Sequence, residues 1–405
     1  MTRSPQRLIE MNHTRSSLRA AARVRKKEGV SVTVCLAADA MFYMRGGGHL
    51  WVYLNWALSL RALGCRVIWL ETVDPANPIA ETRDKIALFK QRLARYGLGD
   101  SLAIASRTTA ALPAELTADC VEFAAATEAD LLLNMRYKTR PEIVKAFRRT
   151  ALVDIDPGLL QTWISRGELH LAKHDVYFTI GETVGQPGAR FPDVGVAWQY
   201  TPPCVALDWW PVCPAAADAP FTTVTHWHAD EWVGDNRDGY KNDKRVGFLP
   251  FLELPRQVRQ PMELAACLGG EEREQAVLES NGWRVIESDT VTATPWSYQR
   301  YLQNSFGEFS CVKPSCVRFQ NAWVSDRTIC YLASGKPAII QHTGPSRILP
   351  DGAGMFRFRD LPEAVRSVEQ VVADYPWQCQ LARTLAEENF DGRKVVRGVL
   401  ERALS

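Results

Sequence analysis

Trp323-Val-Ser-Asp-Arg-Thr-Ile-Cys-Tyr-Leu-Ala-Ser-Gly-Lys-Pro-Ala-Ile-Ile340 is the stretch whose reading decides the fold. Ser325 and Asp326 lie on a loop that opens a short helix through Tyr331 and Leu332. Gly335 and Pro337 stop it, since glycine takes the left-handed backbone that ends helices and proline cannot continue one. Ala338-Ile-Ile340 follows as a buried strand. A carboxylate at a helix start, with its strand packed behind it, can hold hydroxyl groups near the positive end of the helix dipole. Asp326 as a plain helix N-cap is the simpler use of the same residue.

Outward from this stretch the chain alternates strands and helices. Residues 30–37 are an apolar, β-branched run, hence a buried first strand. Arg45-Gly-Gly-Gly-His49 follows, then a helix with Leu50, Val52, Leu54, Ala57, Leu58 and Leu60 at helical spacing, then Gly64 and a strand over 66–70. This β-α-β unit with a glycine-rich turn requires a parallel sheet. Strands over 129–134, 151–156 and 176–180 extend it. Residues from about 186 to 220 are rich in Pro, Trp and Gly and lack periodicity, so 191–220 reads as a linker. A second α/β set begins at 221–227 and contains the opening stretch. The division is 1–30, a basic extension; 31–190, the first domain; 191–220, the linker; 221–390, the second domain; and 391–405, a closing helix. Arg3, Arg7, Arg15, Arg19, Arg23, Arg25, Lys26 and Lys27 face only Glu10 and Glu28 in the extension, which reads as a solvated arm.

A chain of 405 residues suits two cores. With 46% apolar and 23% charged residues it is globular, and its net charge of +2 gives no field that draws it to nucleic acid or acidic lipid. The ten cysteines show no CxxC and no His partner at zinc spacing, so no metal site is expected. No apolar run approaches the roughly 18 residues of a membrane span, and no signal peptide precedes the first strand. The expected location is the cytoplasm, with reduced thiols.

Other residues can carry chemistry. Gly46, Gly47 and Gly48 lie between a strand and a helix start, where bare backbone N–H groups suit phosphate, although a tight turn needs the same residues. They match neither GxGxxG nor a P-loop. Asp154 and Asp156 flank Ile155 at a strand end and share one face. They suit binding of hydroxyls or base catalysis, and equally the capping of the next helix. His226 and His228 share a strand face, which is too few ligands for zinc.

The helix followed by Ala333-Ser-Gly-Lys-Pro337 and a buried strand resembles the donor-site segment of GT-B glycosyltransferases. The glycine turn, with Leu60-Arg-Ala-Leu-Gly-Cys-Arg-Val67 closing the helix, is similar to the first turn of the sucrose-synthase and mannosyltransferase type, in family 4 of these enzymes. The resemblance implies an α/β protein with two Rossmann-like parallel-sheet domains facing a central cleft. It implies a nucleotide diphosphate sugar as substrate, a small-molecule acceptor, no cofactor and no metal. The second domain would hold the donor through Ser325, Asp326 and Arg327, a loop Glu308-Phe309-Ser310, and Lys313, with Gly46 to Gly48 near the diphosphate. The first would hold the acceptor beside His49, Asp154 and Asp156 as catalytic candidates, and the closing helix would cross back onto it. One departure stands out. The usual Glu falls at Cys330, and the nearest carboxylate is Asp326, one turn earlier on the same helix face. An epimerase or hydrolase of the same fold, or a non-catalytic nucleotide-sugar-binding protein, fits the same pattern.

Overall fold

The computed structural model describes residues 31–234 and 239–405; the basic extension lies outside the described residues. Seven strands form the first sheet: β1 (Thr33–Ala37), β2 (Arg66–Val73), β3 (Leu102–Ser106), β4 (Leu131–Asn134), β5 (Thr150–Asp154), β6 (Val176–Thr179) and β7 (Trp198–Tyr200). Their order is β3-β2-β1-β4-β5-β6-β7, and every pairing is parallel. The second half carries β8 (Phe221–His226), a ribbon of β9 (Trp232–Val233) and β10 (Tyr240–Lys241), then β11 (Met262–Cys267), β12 (Arg284–Glu287), β13 (Gly307–Ser310), β14 (Ala338–Gln341) and β15 (Met355–Phe358). Its six-stranded sheet runs β12-β11-β8-β13-β14-β15, again all parallel. Parallel strands are covered on both faces, which is why Val34, Cys35 and Leu36 in β1 are all fully buried. In each sheet the order reverses beside the first strand, between β1 and β4 and between β8 and β13. Open parallel sheets bind ligands outside the carboxyl ends of their strands at such switch points.

The helices that matter for the site are α1 (Gly47–Ala62), α2 (Leu159–Ser165), α3 (Pro295–Asn304), α4 (Asp326–Ala333) and α5 (Gly392–Ala403). Helix α1 is buried nearly all round, because it has the first sheet on one side and α3, α4 and α5 on the other. A single apolar cluster therefore runs from Val34 and Leu36 through Trp51 and Trp56 to Tyr298, Ile329, Cys330 and Val396. Helix α5 buries Val395, Val396 and Val399. Its end is held to the first half by Arg149 Nε on the Ala403 carbonyl at 2.5 Å and Arg402 Nη1 on the Tyr200 carbonyl at 3.0 Å.

The stretch 191–220 is not a free linker. Trp198–Tyr200 forms β7 at the edge of the first sheet, and Cys204, Val205 and Trp210 are fully buried. Cys204, Val205 and Trp210 join the apolar cluster that links the halves, while Pro192, Trp209, Pro211 and Pro214 are exposed.

Candidate active site in the cleft

At the carboxyl edge of the second sheet, Ser325 caps α4 by accepting the Arg327 N–H at 3.2 Å. Asp326 is thereby released from capping. It stands half-buried in the first turn, and its carboxyl is pushed up to about 7 by burial, with the charge of Asp156 adding to the effect. Arg327 donates from Nε to Glu308 Oε1 at 2.8 Å, from Nη1 to the Val224 carbonyl at 2.7 Å, and from Nη2 to Ser310 Oγ at 2.5 Å. A guanidinium has five N–H groups, so one remains on each terminal nitrogen. Lys244 donates to the Cys311 carbonyl at 2.7 Å. Burial, then the neighbouring Arg327 charge, pushes Lys244 down to about 8. Lys313 pairs with Glu231 at 2.9 Å, both partly exposed. Sequence reading missed Lys244. Its signal was Asp243, whose carboxylate caps the short helix Lys244–Phe248 through the Val246 N–H at 2.9 Å and so fixes the lysine at a helix start.

Glu308, Phe309 and Ser310 do not form a loop. They are the core of β13, between β8 and β14, and are 0%, 1% and 3% exposed. Phe309 stacks on Phe358 with centroids 5.1 Å apart. Glu308 is the buried countercharge of Arg327, and its Oε2 has no hydrogen-bond partner. A carboxylate in mid-sheet is tolerable only with a charged partner, and Arg327 meets that need. Beyond the strand, Cys311 and Val312 stay buried and Lys313 is partly exposed.

In the first half, Asp154 and Asp156 do share a face, because both lie within reach of the Tyr137 hydroxyl, at 3.4 and 3.0 Å. Their fates differ. Asp154 is fully buried, accepting from Gln161 Nε2 at 3.0 Å, Thr179 Oγ1 at 2.9 Å and the Asp156 N–H at 2.9 Å. Gln161 in turn accepts the Gly158 N–H at 2.6 Å, so Asp154 braces the start of α2 from behind and is no cleft residue. Burial pushes its carboxyl up to about 7. Asp156 is half-buried at the strand end. Burial raises its pKa, the Tyr137 hydrogen bond opposes this, and the charges of Lys313, Glu231 and His49 also act on it. His49 sits in the first turn of α1 with Nε2 2.8 Å from the Asp39 carbonyl, flanked by the rings of Tyr43 and Tyr53. A carbonyl can only accept, so Nε2 carries a hydrogen, and Nδ1 is the acceptor nitrogen of the ring's neutral form.

Two of the glycines have a packing reason. A Cβ at Gly47 would stand 2.3 Å from the Thr294 carbonyl oxygen, and one at Gly48 would stand 2.7 Å from the Tyr298 ring. The turn is thus pressed against the start of α3, and Trp51 Nε1 donates to the Pro295 carbonyl at 2.8 Å beside it. At Gly46, the residue before α1, a Cβ would be tight against the Tyr43 carbonyl at 3.2 Å.

The halves also touch directly. Asn321 Nδ2 donates to the Pro157 carbonyl at 2.7 Å, and Glu182 accepts from Arg347 Nε and Ser346 Oγ, both at 2.6 Å. Cys330 is 1% exposed and faces Asn55 of α1, whose Nδ2 lies 3.6 Å from its sulfur. The thiol thus sits in the joint between the halves, within the apolar cluster that links them.

Two parallel-sheet halves with switch points across one cleft, closed by a helix that returns to the first half, define the GT-B fold of glycosyltransferases. Solved structures agree over nearly the whole chain. Sucrose-phosphate synthase from Thermosynechococcus elongatus matches at 11% identity with a TM-score of 0.52, covering 92% of this chain and 99% of its own. HepE from Anabaena, solved with UDP and glucose, matches at 12% with a TM-score of 0.52 over the same shares. An α-glucosyltransferase solved with UDP and a mismatched DNA 13-mer matches at 9% and 0.53, covering 93% of this chain and 100% of its own. No protein-family model matches the sequence, and no curated protein matches it. Among the described residues no helix is long and apolar enough to cross a membrane, and no three His, Cys, Asp or Glu side chains gather as metal ligands.

Proposed function

We propose that this chain transfers a glycosyl group from a nucleoside diphosphate sugar to a small acceptor, with side chains in place of a metal ion. One observation carries the reading: Asn321 Nδ2 of the second half donates to the Pro157 carbonyl, next to Asp156 in the first, at 2.7 Å, and the charges of Lys313 and Glu231 from the second half and of His49 from the first act on Asp156. Donor and acceptor edges therefore meet at one point in the cleft. Lys244, Lys313 and the two free N–H groups of Arg327 offer positive charge to a departing diphosphate, which leaves with added negative charge. Asp326 and the start of α4 hold donor hydroxyls. His49 presents Nδ1 to the acceptor hydroxyl, from which a proton must be removed as it bonds to the sugar. Two of the similar structures hold UDP, which supports a nucleoside diphosphate as the donor's leaving group.

The test is a melting-temperature screen of the full chain against UDP-, GDP- and ADP-sugars and the free diphosphates. Ligand at about 100 times its Kd stabilises by about 2.7 kcal/mol, a shift of several degrees at most for a chain this long. One nucleotide should give that shift, and Lys244→Ala should reduce it. A chain indifferent to every nucleoside diphosphate would refute the reading.

A further inference from the structure

At the switch point of the first sheet, outside the ends of β1, β3 and β4, lies a cavity of about 600 Å³ lined by Asp39, Phe42, Tyr43, Arg107, Arg136 and Lys138. Three cations and one carboxylate leave an excess of two positive charges. The guanidiniums are poorly matched by protein. Arg136 is 7% exposed, gives Nη1 to the Lys138 carbonyl at 2.9 Å, and sets Nε 3.5 Å from Asp39 Oδ2 without a hydrogen bond. Arg107 reaches the Thr72 carbonyl only at 3.4 Å, lies 5.4 Å from the Phe42 centroid, and its buried Nε makes no hydrogen bond. Arg107 is half-buried and Arg136 shares a single, long ion pair with Asp39, so two guanidiniums whose Nε atoms make no hydrogen bond line one cavity and mark a place for an anion. Guanidinium forks fit phosphate and carboxylate oxygens in pairs.

The cavity adjoins the reactive edge. Asp39 in its wall receives the His49 ring hydrogen at 2.8 Å, and the Tyr43 ring lies 4.7 Å from that of His49. We propose that this cavity seats the acceptor and that the acceptor is a phosphate monoester, its dianion held by Arg107, Arg136 and Lys138 and its body covered by Phe42 and Tyr43. The excess of two charges selects a dianion over a carboxylate, which would leave one cation unmatched. The phosphate is a handle and takes no part in bond making. The assignment rests on the glycosyl-transfer reading for the word acceptor, but not for the anion site itself.

The experiment is calorimetry on the full chain with phenyl phosphate as probe, and benzoate and phenol as the monoanionic and neutral controls, at saturating UDP. Phenyl phosphate should bind at least tenfold more tightly than benzoate, and phenol should not bind. Lys138→Ala and Arg107→Gln should each weaken phenyl phosphate at least fivefold while leaving the UDP-induced melting shift unchanged; Lys138 is exposed, so its variant keeps the fold. Equal binding of phenyl phosphate and benzoate, no binding of phenyl phosphate, or undiminished binding by both variants would overturn the proposal. If UDP gives no shift yet both variants lose phenyl phosphate, the anion site stands and the donor reading falls. If UDP binds and phenyl phosphate does not, the reverse holds.

Discussion

Gly47→Ala separates a packing role from a phosphate-binding role at the glycine turn. The added Cβ would stand 2.3 Å from the Thr294 oxygen, 2.6 Å from its carbonyl carbon and 2.7 Å from the Thr292 oxygen. Ordinary contacts begin near 3.5 Å, and all three obstacles are backbone, so the start of α3 must retreat from α1 by roughly an ångström. Overpacking of this kind costs about 1–3 kcal/mol. Strain on the Trp51–Pro295 hydrogen bond beside it adds up to about 1 kcal/mol. The higher helix propensity of alanine returns at most about 1 kcal/mol. Net destabilisation of about 1–3 kcal/mol follows, without any ligand present. Gly398→Ala is the control: it lies inside α5, its Cβ would meet nothing within 4 Å, and it should stabilise by about 0.5–1 kcal/mol. Equilibrium urea unfolding of the ligand-free proteins measures both. If Gly47→Ala matches Gly398→Ala in ligand-free stability and loses only UDP affinity, the packing argument is wrong.

Arg327→Met should cost about 3–5 kcal/mol because it strands the buried Glu308 carboxylate, and adding Glu308→Gln should recover most of that loss. A double variant no more stable than the single one, by urea midpoint, would mean the pair is not what holds β13 to α4. Lys244, pushed down to about 8, is charged below that pH and neutral above it. UDP affinity should therefore fall as pH rises through about 8 and should lose this dependence in Lys244→Ala; calorimetry at pH 7 and 9 decides. His49→Ala should cut turnover at least tenfold at saturating donor and acceptor with donor affinity little changed. Wild-type turnover in that variant removes His49 from the chemistry.

Local physics is what the sequence determined. The alternation of buried strands and helices, the stop at Gly335 and Pro337 after α4, and the glycine turn before α1 follow from periodicity and backbone preference within a dozen residues. From these came two parallel sheets and the GT-B resemblance, which the described structure shows. Placement of Asp326 at the first turn of α4 was legible for the same reason. Tertiary structure decided which polar residues face the cleft. Glu308 reads as a loop carboxylate until Arg327, 19 residues later, neutralises it inside β13. Asp154 and Asp156 look alike by alternation, and only the arrival of Gln161 and Thr179 sends one into the core. Arg107 and the pair Arg136 and Lys138 belong to separate segments and acquire a shared meaning only where strand ends converge. Charge and burial are set by neighbours in space, and a sequence states its neighbours only along the chain.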